Sequence, residues 1–154
     1  MKTDHRPSSP DVAGHATLLA GSFRRATGSA LLADTGADVA QCLYHAPFVL
    51  LSHGVEADPI FNYANLAAQK LFEMDWHAFT RLPSRLSAEP INQAERADLL
   101  ARVSKFGFID DYSGVRIFAM GQRFRIEAAT VWNICNDDGV YVGQGAMFSQ
   151  WTPL

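Results

Sequence analysis

Polar side chains that a small ligand could use gather at two places in this sequence. Asn62, Tyr63 and Asn65 stand where the apolar run IFNY passes into the alanine-rich stretch ANLAAQKLF. Amide and phenol groups offer directional donors and acceptors, the means by which a mostly apolar pocket orients a small molecule. Asparagine is also a preferred residue at a helix start, so the plainer reading has one asparagine capping the helix and Tyr63 packed beneath it. Trp132 and Gln144 fall on neighbouring strands, where they can face one pocket; a strand tryptophan otherwise belongs to the core, its N–H satisfied locally. Arg81 and Arg85, in and beside the proline-bounded LPSRLSAEP, and Arg116, Arg123 and Arg125 are suited to hold a carboxylate or phosphate through paired N–H groups. Against this stands ordinary surface pairing with Glu89, Glu95 or Glu127. The expected ligand-binding set is Asn62, Tyr63, Asn65, Arg85, Trp132 and Gln144.

Reactive chemistry has less to stand on. His53, Glu56 and Asp58 are close in sequence, but their spacing matches no metal-ligand pattern, and solvated turn residues account for them. Asp110 and Asp111 are adjacent, and neighbours on a strand point to opposite faces, so they are not expected to share a proton. Gly-x-Ser-x-Gly, a phosphate-binding Walker loop and His-Glu-x-x-His are all missing from the sequence. Gly139, Gly143 and Gly145 precede no helix and make no dinucleotide loop. Cys42 and Cys135, the only cysteines, have no metal or redox spacing and read as small core residues. No catalytic residue and no metal site is expected, and the chain is read as a binding module, not an enzyme.

The elements that must position these groups can be read in order. Ser9, Pro10 and Asp11 make a helix start, and Ala16, Leu19, Phe23, Ala26 and Ala30 follow at three- and four-residue steps. Gly14, Gly21 and Gly28 recur every seven residues beside that stripe. Each costs a helix interior about 1 kcal/mol relative to alanine, so a weak helix is expected rather than a designed contact. Residues 34–40 read as a connector. A buried strand is expected within APFVLLSHG and a second in IFNY, then short helices capped by Asn62 or Asn65 and by Asp75. Asn92 with Glu95 forms a capping-box-like start to a longer helix whose stripe is Leu99, Leu100, Val103 and Phe106 and whose stop is Gly107. From Phe108 the period changes to two, and FIDDYSGVRIF, RFRIEAATVWNIC and VYVGQGAMFSQW read as three hairpin-linked strands, the second turn marked by Asp138-Gly139. In the middle strand the alternation puts Phe124, Ile126, Ala128, Thr130, Trp132 and Ile134 on one face. Neither face of the meander is cleanly polar, so cover is expected on both.

At 154 residues, 48% hydrophobic and 19% charged, the chain suits one domain with a sizeable core, here an α+β domain on an antiparallel sheet. A formal charge of −3 argues against nucleic acid, which requires a basic face. No apolar run approaches a membrane span and MKTDHRPSSP lacks the apolar core of a signal peptide, so no membrane partner and a cytoplasmic location are expected.

The segments NYANLAAQKLFEMDWHAFTRLPSRLSAEP, GFIDDYSGVRI, ATVWN and DDGVYVGQGAMF, in this order, resemble the PAS-like MEKHLA domain family from about Tyr44 to Trp151. The resemblance implies a five-stranded antiparallel sheet with short helices on one face, here with an added N-terminal helix. It divides the chain into a tail at 1–9, helix and connector at 10–40, and the PAS-like domain at 41–154. It also implies a sensory or protein-interaction role. The family occurs in plant homeodomain leucine-zipper regulators and in free-standing bacterial proteins; with neither homeodomain nor zipper here, DNA binding is not carried over. Flavin-binding relatives react through a cysteine in a segment that here reads LPSRLSAEP, and haem-binding relatives use a histidine on the helix that here runs from Asn92 to Gly107 and has none. His77, on the preceding short helix, reads as a surface or half-buried residue. Flavin thiol photochemistry and haem are therefore not expected, and the cofactor is left open. The leading expectation is a free-standing module that binds a small organic ligand between sheet and helices and signals by pairing, as a homodimer or with another protein. The alternatives are a ligand-free dimerisation or docking domain and, with no motif behind it, a small enzyme acting on a carboxylate through Arg81 or Arg85.

Overall fold

The computed structural model describes residues 10–32, 38–87, 93–117 and 121–154. Helix α1 runs from Pro10 to Thr27, and its proposed Ser9 cap lies outside the described residues. It stops where Gly28 takes a left-handed φ of 78° and its N–H reaches Arg24 O at 2.9 Å. Only glycine adopts that conformation without a steric penalty. The apolar stripe therefore ends a turn earlier than its spacing predicts: Ala16, Leu19 and Phe23 are buried, Ala30 is exposed, and Leu31 completes the core instead.

A helix the sequence pattern did not announce, α2 (Val39–Tyr44), follows Asp38, whose carboxylate accepts from the N–H of Ala40 and of Gln41. Strands β1 (Val49–His53) and β2 (Phe61–Ala64) come next, then α3 (Leu66–Phe72) and α4 (Trp76–Phe79), capped by Asn65 and Asp75 as anticipated. A 3-10 turn at Ser84–Ser87 leads toward α5 (Gln93–Phe106), which ends at Gly107 with φ 82°. The Asn92–Glu95 box lies outside the residues whose side chains are described. Val103 of α5 is buried, but Phe106 is 59% exposed beneath Lys105 because the Gly107 turn carries the chain away there.

Strands β3 (Phe108–Ile117), β4 (Arg123–Cys135) and β5 (Tyr141–Phe148) form the expected meander, and a short β6 (Gln150–Pro153) pairs with the first half of β4. The sheet order is β2-β1-β5-β4-β3, with β6 off that path. Both faces are covered. Val49, Leu51, Phe61, Phe124, Ile126 and Phe148 pack with Phe72 and Phe79 of the short helices, while Val131 and Ile109 meet Val103 of α5. On the reverse face Leu50, Tyr63, Trp132 and Ile134 pack under Leu19 and Phe23 of α1 and Leu43 of α2.

Strand β4 does not keep one face. Ala128 has a left-handed φ of 53°, and around it the β3 register slips, with Tyr112 opposite Ala129 but Gly114 opposite Ile126. The extra residue shifts the alternation by one. Phe124 and Ile126 face the short helices, whereas Trp132 and Ile134 face α1. The single face predicted for Phe124 through Ile134 is thus corrected by a bulge that no glycine announces. A left-handed alanine carries about 1–2 kcal/mol of strain. Ala128→Gly should therefore raise stability by about 0.5–1 kcal/mol despite the entropy of glycine, measured as an upward shift in thermal midpoint.

Candidate functional site

The face of the sheet under α3, α4 and α5 forms a cup whose floor is largely aromatic. Phe72 stands edge-on to Phe79 and Phe124 at ring separations of 5.3 and 5.2 Å, and Phe61 meets Phe79 at 4.9 Å. Polarity enters at the end where β5 begins. His53, Gln144 and Asn133 are direct register partners across β1, β5 and β4. Two residues along the same strands, Leu51, Ala146 and Val131 belong to the cup cores, so the pleat sets this polar row on the cup side. Gln144 Nε2 donates to Asn133 Oδ1 at 3.3 Å. Both amides are half-buried, and the Gln144 carbonyl and the Asn133 NH₂ group are left to meet something else.

The other expected ligand groups are scattered. Asn65 is fully buried and its amide is used on every side: Oδ1 accepts from Leu50 N and Ala68 N, and Nδ2 donates to Leu43 O and Phe48 O. Its role is to tie α2, β1 and α3 together, and no donor or acceptor remains for a ligand. Asn62 is the inserted residue of a β1–β2 register shift, Ser52 pairing with Tyr63 and His53 with Phe61. That shift sends Phe61 and Tyr63 to different cores and leaves Asn62 exposed, accepting from Ser52 Oγ at 2.6 Å. Tyr63 and Trp132 lie under α1, on the opposite side of the sheet from Gln144. Trp132 and Gln144 therefore do not share a pocket; Trp132 faces Gly145 across the ladder, and it is Asn133 that faces Gln144. Arg85 is exposed and pairs with Asp58 at 3.1 Å; Glu89 and Glu95, two of the partners expected for the arginines, lie outside the residues whose side chains are described. Glu56 closes its own loop on Ile60 N, and those backbone bonds hold its carboxyl below its usual range. Glu56 and Asp58 thus turn to different partners.

Sequence reasoning missed Asn133, His15 and Ser52. Asn133 was recoverable only from strand register, since it is ordinary in composition and becomes notable opposite Gln144. Under α1, His15 Nε2 lies 2.9 Å from Ser52 Oγ, and its ring is 5.8 Å from that of Tyr63. Burial lowers the His15 pKa from its ordinary value and raises that of Tyr63. In the same core, Tyr63 OH and Trp132 Nε1 are buried without a hydrogen-bond partner. Each such group costs about 1–3 kcal/mol.

The family model for the MEKHLA domain matches residues 13–153, which takes in α1 as well as the sheet. The chain belongs to the MEKHLA domain family. Its fold is the PAS-like one expected of that family, and solved structures agree. The PAS domain of a protein from Colwellia psychrerythraea superimposes with a TM-score of 0.59 at 13% identity, over 70% of this chain and 89% of that one. The light-state dimer structure of the fungal blue-light photoreceptor Vivid gives 0.58 at 12% identity, over 95% of this chain and 98% of that one. The dark structure of the Aureochrome1 LOV domain gives 0.54 at 15% identity, over 78% and 87%. No curated protein matches in sequence. At these identities the likeness speaks for the fold alone. Among the described residues no helix is long and apolar enough to cross a membrane.

Proposed function

We propose that this MEKHLA domain is a sensory module that takes a small, flat organic molecule against the Asn133–Gln144 edge of the cup and passes occupancy to a partner protein or a second copy. The observation that carries the reading is the half-buried amide pair, set among apolar residues and bonded to each other through only one donor and one acceptor. Such an edge suits a heterocycle or amide with adjacent donor and acceptor atoms. Signalling is the coarser part of the reading and follows the PAS-like fold; Vivid, which shares it, is a photoreceptor with a light-state dimer. No residue pairing of nucleophile and base enters this reading, so we infer binding without catalysis, in the cytoplasm.

Native mass spectrometry of the purified protein tests it. A copurifying small molecule is expected, with occupancy or affinity reduced about tenfold in Gln144→Ala and in Asn133→Ala, as the loss of one or two hydrogen bonds requires. A protein that carries nothing, and shows no thermal shift with any member of a panel of heterocyclic metabolites, speaks against it.

A second reading, a docking domain whose cup is filled by its own side chains, draws support from the close packing of Phe61, Phe72, Phe79 and Phe124. It expects a homodimer or a bound protein and no ligand. Light scattering during size exclusion, with and without any copurified molecule, separates the two.

A further inference from the structure

We propose that His15 is an acid-opened latch between α1 and the sheet, whose release uncovers the part of the face that carries Tyr63. The latch is built on one cross-strand row. Tyr63, Ser52, Gly145 and Trp132 are successive register partners on β2, β1, β5 and β4, so two small residues lie between two large rings. Ser52 is fully buried in that trough, and its hydroxyl proton goes to Asn62 Oδ1. The Ser52 oxygen is then an acceptor for His15, which must present N–H at Nε2. In the neutral ring this fixes the tautomer, leaving Nδ1 as the atom that takes the next proton.

That proton brings a charge into a place that holds no counter-charge among the described side chains. From β1 the ring meets Ser52, whose hydroxyl is bonded to Asn62; from β2 it meets Tyr63, which is in turn covered by Trp76 of α4. None of these groups is charged near neutral pH. His53 is the next residue on β1 but lies on the cup side. On α1 itself the nearest acid in sequence is Asp11, four residues before His15. Burial accordingly favours the neutral ring. The sign follows: α1 docking is at full strength above the ordinary histidine value of 6.5 and weakens as pH falls below it, toward the lowered value of the docked state.

The rest of the seam favours opening over global unfolding. The closed face leaves Tyr63 OH unpartnered, and solvent satisfies it once this half of α1 lifts, while Trp132 stays under Phe23 of the held half. Gly14 weakens the helix in the half that would lift. The other half is held separately, with Ser22 Oγ donating to Cys135 O at 2.9 Å and Arg25 to the same carbonyl at 2.8 Å, so the helix has a hinge as well as a latch.

Hydrogen exchange, corrected for intrinsic rates, reads the opening directly. Between about pH 7.5 and 5.5 the opening of α1 amides should rise severalfold, to at most about tenfold, because pH 5.5 lies one unit below the ordinary histidine value, while β4 and β5 amides keep their protection. The His15 ring, followed by NMR, should titrate in step with that opening. His15→Gln keeps a side-chain N–H without a titrating ring and should flatten the response; Ser52→Ala should open α1 already at neutral pH. The proposal fails if α1 opening does not change while the ring titrates, if His15→Gln responds as the wild type does, or if the strands lose protection together with α1. It fails as well if Asp11→Asn abolishes the response, which would give the titration to that carboxylate.

Discussion

Replacing Asn65 by alanine should destabilise the domain by roughly 3–5 kcal/mol, a loss that belongs to the scaffold and not to any ligand. The side chain is fully buried and makes four hydrogen bonds, to Leu50 N, Ala68 N, Leu43 O and Phe48 O, at 2.9 to 3.1 Å. Removing it strands two donors and two acceptors, of which a relaxed structure can re-pair some but not all. The expected magnitude exceeds that of an ordinary helix cap, which is about 1 kcal/mol, because only one of the four bonds is the cap. Asn65→Asp gives the internal check. It keeps both accepted bonds and turns the two donated ones into contacts between a carboxylate oxygen and the carbonyls of Leu43 and Phe48, so it should retain the cap yet recover little stability. Urea unfolding at constant slope measures both variants. A loss near 1 kcal/mol for alanine would mean that the cap alone matters and that α2 is held by other contacts.

The same residue shows what the sequence made legible. A cap at Asn65 followed from residue type and position, since an asparagine before an alanine-rich run has few better places to be. The second set of partners did not follow, because Leu43 and Phe48 come from a helix and a strand entry far back in the chain. Element order and the two-sided cover of the sheet were legible for the same reason as the cap: periodicity and turn chemistry are local. What failed was parity. Asn62 enters a register shift at β2, and Ala128 adopts a left-handed backbone within β4 where a pattern reader expects a plain strand. Each adds one residue, and one residue exchanges the faces of everything beyond it. Trp132 was grouped with Gln144 on that account, while Asn133, its neighbour in the chain and the true partner of Gln144, was passed over. Helix α2 was lost to its length, since six residues cannot display a helical period. The His15–Ser52 contact joins residues 37 apart with no motif between them, and only the docking of α1 creates it.

Trp132→Ala should cost about 4 kcal/mol, the loss expected for a buried aromatic ring, because Trp132 is fully buried between the sheet and Phe23 of α1. The indole is fully buried, stands edge-on to Phe23 of α1 at 4.9 Å, and lies across Gly145 of β5. Trp132→Phe should lose less than about 2 kcal/mol: it gives up volume but removes an indole N–H that has no partner. Gly145 explains why the larger ring is tolerated at all. A Cβ at that position would stand 2.8 Å from Trp132 Cζ2, so the glycine is required by the indole rather than by its own backbone, which has no left-handed φ. Gly145→Ala alone should then cost about 1–3 kcal/mol through overpacking. In the Trp132→Phe background the atom that collides is gone, and the same substitution should be tolerated better by about 1 kcal/mol or more. That coupling, measured as a double-mutant cycle by chemical denaturation, is the quantity that decides whether glycine and tryptophan act as one unit. Additive losses would place the constraint on Gly145 in the strand ladder instead, and would leave the docking of α1 to Leu19, Phe23 and the His15–Ser52 contact.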